Sequence, residues 1–166
     1  GKILRVNLSN GKLIDEDLPD EKELRKYIGG TGLAAKIMYE EVPPSVGPED
    51  PENKVILMSG PLSGTIVPSS SRYCAMTING SVPKSIGTGW SGGNWCAWLK
   101  QAGYDGVIVE GESKEPVYLW VHEGKAELKD AGKLWGRETE KTMELIKDEL
   151  GIPDISVACI GPAGEI

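Results

Sequence analysis

Apolar and polar residues alternate through KILRVNLSNGKLIDEDL, and the alternation breaks at Ser9-Asn10-Gly11, which predicts a β-hairpin at the start of the chain. The period then lengthens. Pro19-Asp20 opens a stretch in which Leu24, Tyr27 and Ile28 sit at helical spacing, and Gly29-Gly30 stop it. A second helix is expected after Gly32, with Leu33, Ile37 and Met38 on one face, ending before Pro43-Pro44. PPSVGPEDPENK, rich in proline and acid, reads as a surface connection inside a domain. Short apolar runs follow. VILMSG (55–60) and RYCAMTI (72–78) read as strands, separated by a loop of small residues. SIGTGWSGG (85–93) reads as a glycine-rich turn. Trp95, Trp98, Leu99 and Ala102 then fall at i, i+3, i+4 and i+7, one face of a helix that starts near Gly93-Asn94 and ends at Gly103. GVIVEG (106–111) reads as a buried strand, PVYLWVHEGKAELKD as a hairpin turning at Glu123-Gly124, and 138–151 as an amphipathic helix with Met143, Ile146 and Leu150 inward. ISVACIG (155–161) reads as a last buried strand.

Hairpins and helices interleave without a regular βαβ repeat, so the fold class is α+β. The length, 166 residues, fits one domain with a genuine core. Charge narrows the function. With 25 Asp+Glu against 18 Lys+Arg and no basic cluster, the chain is suited neither to nucleic acid nor to an anionic membrane surface. No apolar run reaches the roughly 20 residues that span a bilayer, and the first residues carry no signal-peptide pattern. Three scattered cysteines, Cys74, Cys96 and Cys159, and a single histidine, His122, argue against a disulfide framework and against a metal site built from this chain alone. That cysteine usage suits the reducing cytoplasm.

The densest chemistry lies in SIGTGWSGGNWCAWLKQAGYDG (85–106), where six glycines stand among three of the five tryptophans. Glycines before a helix start offer backbone N–H groups and close approach to an anion. The pattern is neither a P-loop nor a dinucleotide fingerprint, and Lys100 falls inside the helix. The bland reading is a turn beside a tryptophan-lined core. Arg72 follows three serines at a strand mouth, a place where a guanidinium suits phosphate or carboxylate, or simply faces water. Cys96 sits in a first helical turn, where a dipole lowers a thiol pKa, but its flanking tryptophans favour plain burial. His122 belongs near a hairpin tip in solvent. The acids Glu138, Glu140, Glu144 and Asp148 solubilise their helix.

In order, the chain carries GKILRVNLSNGKL, YIGGTGLAAKIMYEEVPPSVGPEDPENKVILMSGPLSGT, SGGNWCAWLKQAGYDGVIVEG, EPVYLWVHEGKAELKDAGKLWGRET and IGPAGE. Together these resemble the N-terminal domain of the tungsten-containing aldehyde ferredoxin oxidoreductase family, over essentially the whole chain. The resemblance implies two β-sheets forming a base under a bis-pyranopterin cofactor of tungsten, or of molybdenum. It implies oxidation of an aldehyde to a carboxylic acid, with a [4Fe–4S] cluster passing electrons to ferredoxin. It also implies that Arg72 and the backbone of Ser91-Gly92-Gly93 touch the pterin dithiolene and its phosphate.

Three positions depart from the family pattern. Trp90 replaces an asparagine whose carbonyl helps hold a magnesium ion between the pterin phosphates. Thr31 stands where arginine is usual, and Trp98 where glutamate is usual. The cluster cysteines and the catalytic residues are expected outside this chain, which reads as an excised N-terminal domain. Its expected partners are the later domains of the same enzyme, ferredoxin, the aldehyde and a second copy of itself. The alternative is a non-catalytic relative that kept the scaffold as a protein-interaction module.

Overall fold

The computed structural model describes residues 1–82 and 84–165. Six strands form one sheet in the order β2-β1-β6-β3-β4-β5, comprising β1 (Lys2–Asn7), β2 (Lys12–Asp17), β3 (Lys54–Ser59), β4 (Tyr73–Ile78), β5 (Ile86–Ser91) and β6 (Tyr104–Glu110). Only β1 and β6 run parallel; every other neighbour is antiparallel. A second, two-stranded sheet is the hairpin β7 (Val117–His122) and β8 (Lys125–Asp130). With helices α1 (Glu21–Tyr27), α2 (Gly30–Glu41), α3 (Trp95–Gln101) and α4 (Thr139–Leu150), this is the expected two-sheet α+β architecture.

Period-two alternation gives the large sheet two apolar faces. Ile3, Ile56, Met58, Cys74, Met76 and Ile108 face α2, which contributes Leu33, Ala34, Ile37 and Met38. Leu4, Val6 and Val107 face the other way, against Leu99 of α3 and Leu119, Val121, Ala126 and Leu128 of the hairpin. Ile3 and Ile56 are completely buried. Truncating such a side chain to alanine costs about 2–5 kcal/mol. Gly106 makes the α2-side packing possible: a Cβ there would lie 2.6 Å from the sulfur of Met58 and 2.9 Å from the Leu57 carbonyl oxygen. A third cluster joins Ala131, Leu134 and Ile146, with Tyr118, Leu145, Leu150, Ile155 and Val157 around it.

One end of the large sheet is closed by an ion network. Arg5 bonds both Glu41 oxygens at 2.6 and 2.7 Å and also pairs with Glu16, while Lys54 pairs with Glu110. The opposite end, where β4 begins, β5 ends and α2 starts, stays open.

Five expectations are corrected. Residues 86–91 form the edge strand β5, because antiparallel pairing with β4 uses backbone groups and needs no apolar run. Helix α2 begins at Gly30, two residues before the point predicted; packing of Leu33 and Ala34 outweighs the low propensity of its glycines. Ile28 leaves the α1 face, caps the helix with φ of 67° and is exposed. Residues 155–160 join no sheet, and Met143 is only half-buried, the buried face of α4 being Thr142 and Ile146.

Candidate functional site

The open end of the sheet collects residues far apart in sequence. Tyr73 pairs with Ser91 and Cys74 with Trp90, so the start of β4 and the end of β5 lie side by side. The Ser71 hydroxyl donates to the Gly93 carbonyl at 2.6 Å, and the Tyr73 and Trp95 rings pack with centroids 4.6 Å apart. Arg72, the residue before β4, therefore leads into a strand that abuts both Ser91-Gly92-Gly93 and the start of α3. Its backbone is fixed by the buried Ser63 hydroxyl, which lies 3.2 Å from the Arg72 carbonyl oxygen and 2.9 Å from that of Ser70.

The helix α2 starts at the same end. A Cβ on Gly29 would come within 3.2 Å of Pro61, so glycine is needed where the α1–α2 turn crosses the residues following β3. The Trp90 indole N–H donates to the Thr31 hydroxyl at 3.2 Å. Two of the three positions noted for departing from the family pattern are thus in direct contact across 59 residues of sequence. Trp90 is nonetheless 61% exposed. The third, Trp98, lies elsewhere, lining an apolar cavity beside β7.

A flat anionic group needs a free cation, unpaired donors and room for close approach. Arg72 is exposed and has no ion-pair partner among the described residues, whereas Arg5 and Arg25 are paired. The Gly92 and Gly93 N–H groups donate to no backbone carbonyl among the described residues. A Cβ on Gly92 would meet only the Ser71 carbonyl oxygen, at 3.9 Å, and one on Gly93 would meet nothing within 4 Å. Gly93, with φ of 81°, also needs glycine for its backbone; Gly92 does not. The α3 helix is seven residues long, so individual N–H groups count for more than its dipole.

Ser91, Gly92 and Gly93 line a cavity of about 410 Å³ together with Tyr73, Trp95, Thr139, Met143 and Ser156–Cys159. Arg72 is not part of that lining. The arrival of α4 and of 156–159 at this place was illegible in the sequence, since neither carries a motif. Burial first, and the Glu165 carboxylate second, push the Cys159 thiol pKa up. Cys96 is fully buried, its sulfur 3.4 Å from the Ser71 hydroxyl, so it acts as packing. His122 is exposed and stacks on Trp120 with ring centroids 5.5 Å apart. No group of three or more His, Cys, Asp or Glu side chains placed to hold a metal ion occurs among the described residues. No described helix is long and apolar enough to cross a membrane.

The family model for the aldehyde ferredoxin oxidoreductase N-terminal domain matches residues 3–166. The chain belongs to this family. The tungsten-containing aldehyde ferredoxin oxidoreductase of Pyrococcus abyssi is 41% identical over 99% of the chain, and that of Pyrococcus furiosus is equally similar. The WOR-like subunit of an aliphatic sulfonate oxidoreductase of Pyrococcus furiosus is 33% identical over the same span. Among solved structures, the active-site complex BamBC of benzoyl-coenzyme A reductase, with 1,5-dienoyl-CoA, contains a chain of the same fold. There the TM-score is 0.95 at 39% identity, over 99% of this chain and 25% of that one. The chain spans 27% of the length of the aldehyde ferredoxin oxidoreductases it matches. The matched chain of that complex therefore shares the fold described above.

Proposed function

We propose that this chain is the cofactor-supporting N-terminal domain of a longer oxidoreductase, a single domain over 1–166. The observation that carries the reading is the juxtaposition of Arg72, which has no ion-pair partner among the described residues, with Gly92-Gly93, whose N–H groups donate to no described backbone carbonyl. Arg72 and the glycine N–H groups would hold the phosphate of a pyranopterin. The Trp90 ring, hydrogen-bonded to Thr31, would border the pterin. The tungsten pterin (molybdenum being the alternative metal) supplies two-electron oxidation of an aldehyde to a carboxylic acid when bound.

Within that division of labour, this chain binds and orients, and the acids and thiolates of the reaction come from later domains. A [4Fe–4S] cluster held there would pass electrons to ferredoxin in the cytoplasm. The Trp90 backbone carbonyl, which a side-chain change leaves in place, would be this chain's group for holding a magnesium ion. The 39% identity to a benzoyl-CoA reductase chain, close to the 41% to the aldehyde enzymes, favours a second substrate class, an acyl-CoA, on the same base. The test is the natively purified full-length protein, assayed anaerobically with a viologen dye against aldehydes and dienoyl-CoA esters. Dye reduction by aldehydes supports the first reading, and reduction by dienoyl-CoA alone supports the second. Inertness of the metal-loaded protein toward both refutes each.

A further inference from the structure

The turn between α1 and α2 holds three consecutive residues at positive φ: Ile28 at 67°, Gly29 at 143° and Gly30 at 50°. Ile28, with ψ of −53°, is the middle of a γ-turn closed by the Gly29 N–H, which donates to the Tyr27 carbonyl at 2.7 Å. This is the rare, strained form of that turn, and a β-branched residue seldom adopts it. Burial does not offset the strain, since Ile28 is 64% exposed. The turn instead brings backbones together. A Cβ on Gly29 would press on Pro61, and one on Gly32 would overlap the Tyr27 carbonyl oxygen. The crossing sets the first turn of α2, and with it Thr31, beside the end of β5.

Trp90 meets Thr31 there. Trp90 pairs with Cys74, so its side chain stands on the face of the sheet that α2 covers. Its neighbours on the edge strand are glycine, threonine and serine, and none of the three core clusters includes it. Among the described residues its indole N–H donates only to the Thr31 hydroxyl, at 3.2 Å. In water such a bond is nearly neutral, because water offers both groups the same partners. Under a flat group that excludes water, either group left alone becomes a buried polar atom without a partner.

We propose that Thr31 is a positioning residue: the strained 27–32 turn holds its hydroxyl so that Trp90 keeps one orientation at the open end, and this clasp takes effect once a bound cofactor covers it. The proposal rests on the reading of the open end as a pyranopterin site. Trp90 borders the cofactor, and Thr31 acts on it through Trp90.

The test is a double-mutant cycle in the full-length protein, read as pyranopterin content per polypeptide across a limiting range of cofactor supply, beside thermal unfolding of the cofactor-free protein. Thr31→Val should leave unfolding unchanged and lower cofactor affinity about 5- to 30-fold, because it strands the indole N–H under the cofactor. Thr31→Ser, which keeps the hydroxyl, should bind as the unaltered protein does. Trp90→Phe strands the Thr31 hydroxyl and should lose a similar factor, whereas the double variant, with neither group left alone, should bind no worse than either single one. In protein labelled with fluorotryptophan, the fluorine resonance that Trp90→Phe removes should move in Thr31→Val. Losses that multiply in the double variant overturn the proposal, as does a Thr31→Val that lowers the unfolding midpoint of the cofactor-free protein, the mark of a merely structural residue. Protein that takes up no pyranopterin in any form contradicts the functional reading and the proposal with it. Uptake that is equal in every variant contradicts the clasp alone.

Discussion

Replacing Arg72 with alanine in the full-length protein separates binding from folding. The guanidinium is exposed and has no ion-pair partner among the described residues, and the contacts that position this residue run through its backbone, from Ser63. Its removal leaves no orphaned buried charge, so stability should change by less than about 0.5 kcal/mol. Toward a phosphate the same side chain supplies a charge-assisted hydrogen bond, about 1.5–3 kcal/mol. That range corresponds to roughly a 10- to 150-fold loss of cofactor affinity. The assay is pterin and metal content per polypeptide across a limiting range of cofactor supply, beside thermal unfolding of the cofactor-free protein. Arg72→Lys should recover part of the loss, since it restores charge without the planar fork. Unchanged occupancy with unchanged stability would refute the role given to Arg72.

The glycines offer a paired comparison. Gly92→Ala should fold normally, with its Cβ in open space 3.9 Å from the nearest atom, and lose cofactor, whereas Gly93→Ala should also lose about 1–2 kcal/mol of stability at its φ of 81°. Gly106→Ala should destabilise by about 1–3 kcal/mol through the clash with Met58 and the Leu57 carbonyl, without touching the site; denaturant unfolding reads both effects. Arg5 holds the Glu41 pKa below its ordinary 4.5, and Lys54 does the same for Glu110. Both pairs therefore contribute stability that is full above about pH 4.5 and is lost as pH falls through the lowered folded-state values. A pH series of unfolding midpoints should show that acid-side loss, and Glu41→Gln should flatten it.

The helices and hairpins were legible because their periods are strong, whereas the two-sheet arrangement was implied only by the family resemblance. β5 was not: IGTGWS carries glycine, serine and threonine on an exposed edge, and only β4's register makes it a strand. The segment 155–160 shows the converse. Its apolar run satisfies the strand pattern, but pairing needs a partner that this stretch of chain does not provide. In the candidate site, residue type drew attention to Arg72 and the glycines, the resemblance singled out Ser91–Gly93, and the structure brings these segments side by side. The Trp90–Thr31 bond was not, because nothing in either local sequence points 59 residues away. Nor was the Ser63 contact that fixes Arg72, since a serine in a loop of small residues carries no signal until it is buried.

The claim that this fold is a pterin-cofactor base is tested most directly by elemental and pterin analysis of the natively purified full-length protein. The account predicts one tungsten or molybdenum and two pyranopterins per polypeptide, lost together in Arg72→Ala under limiting cofactor. A folded, natively purified protein with neither metal nor pterin would contradict it.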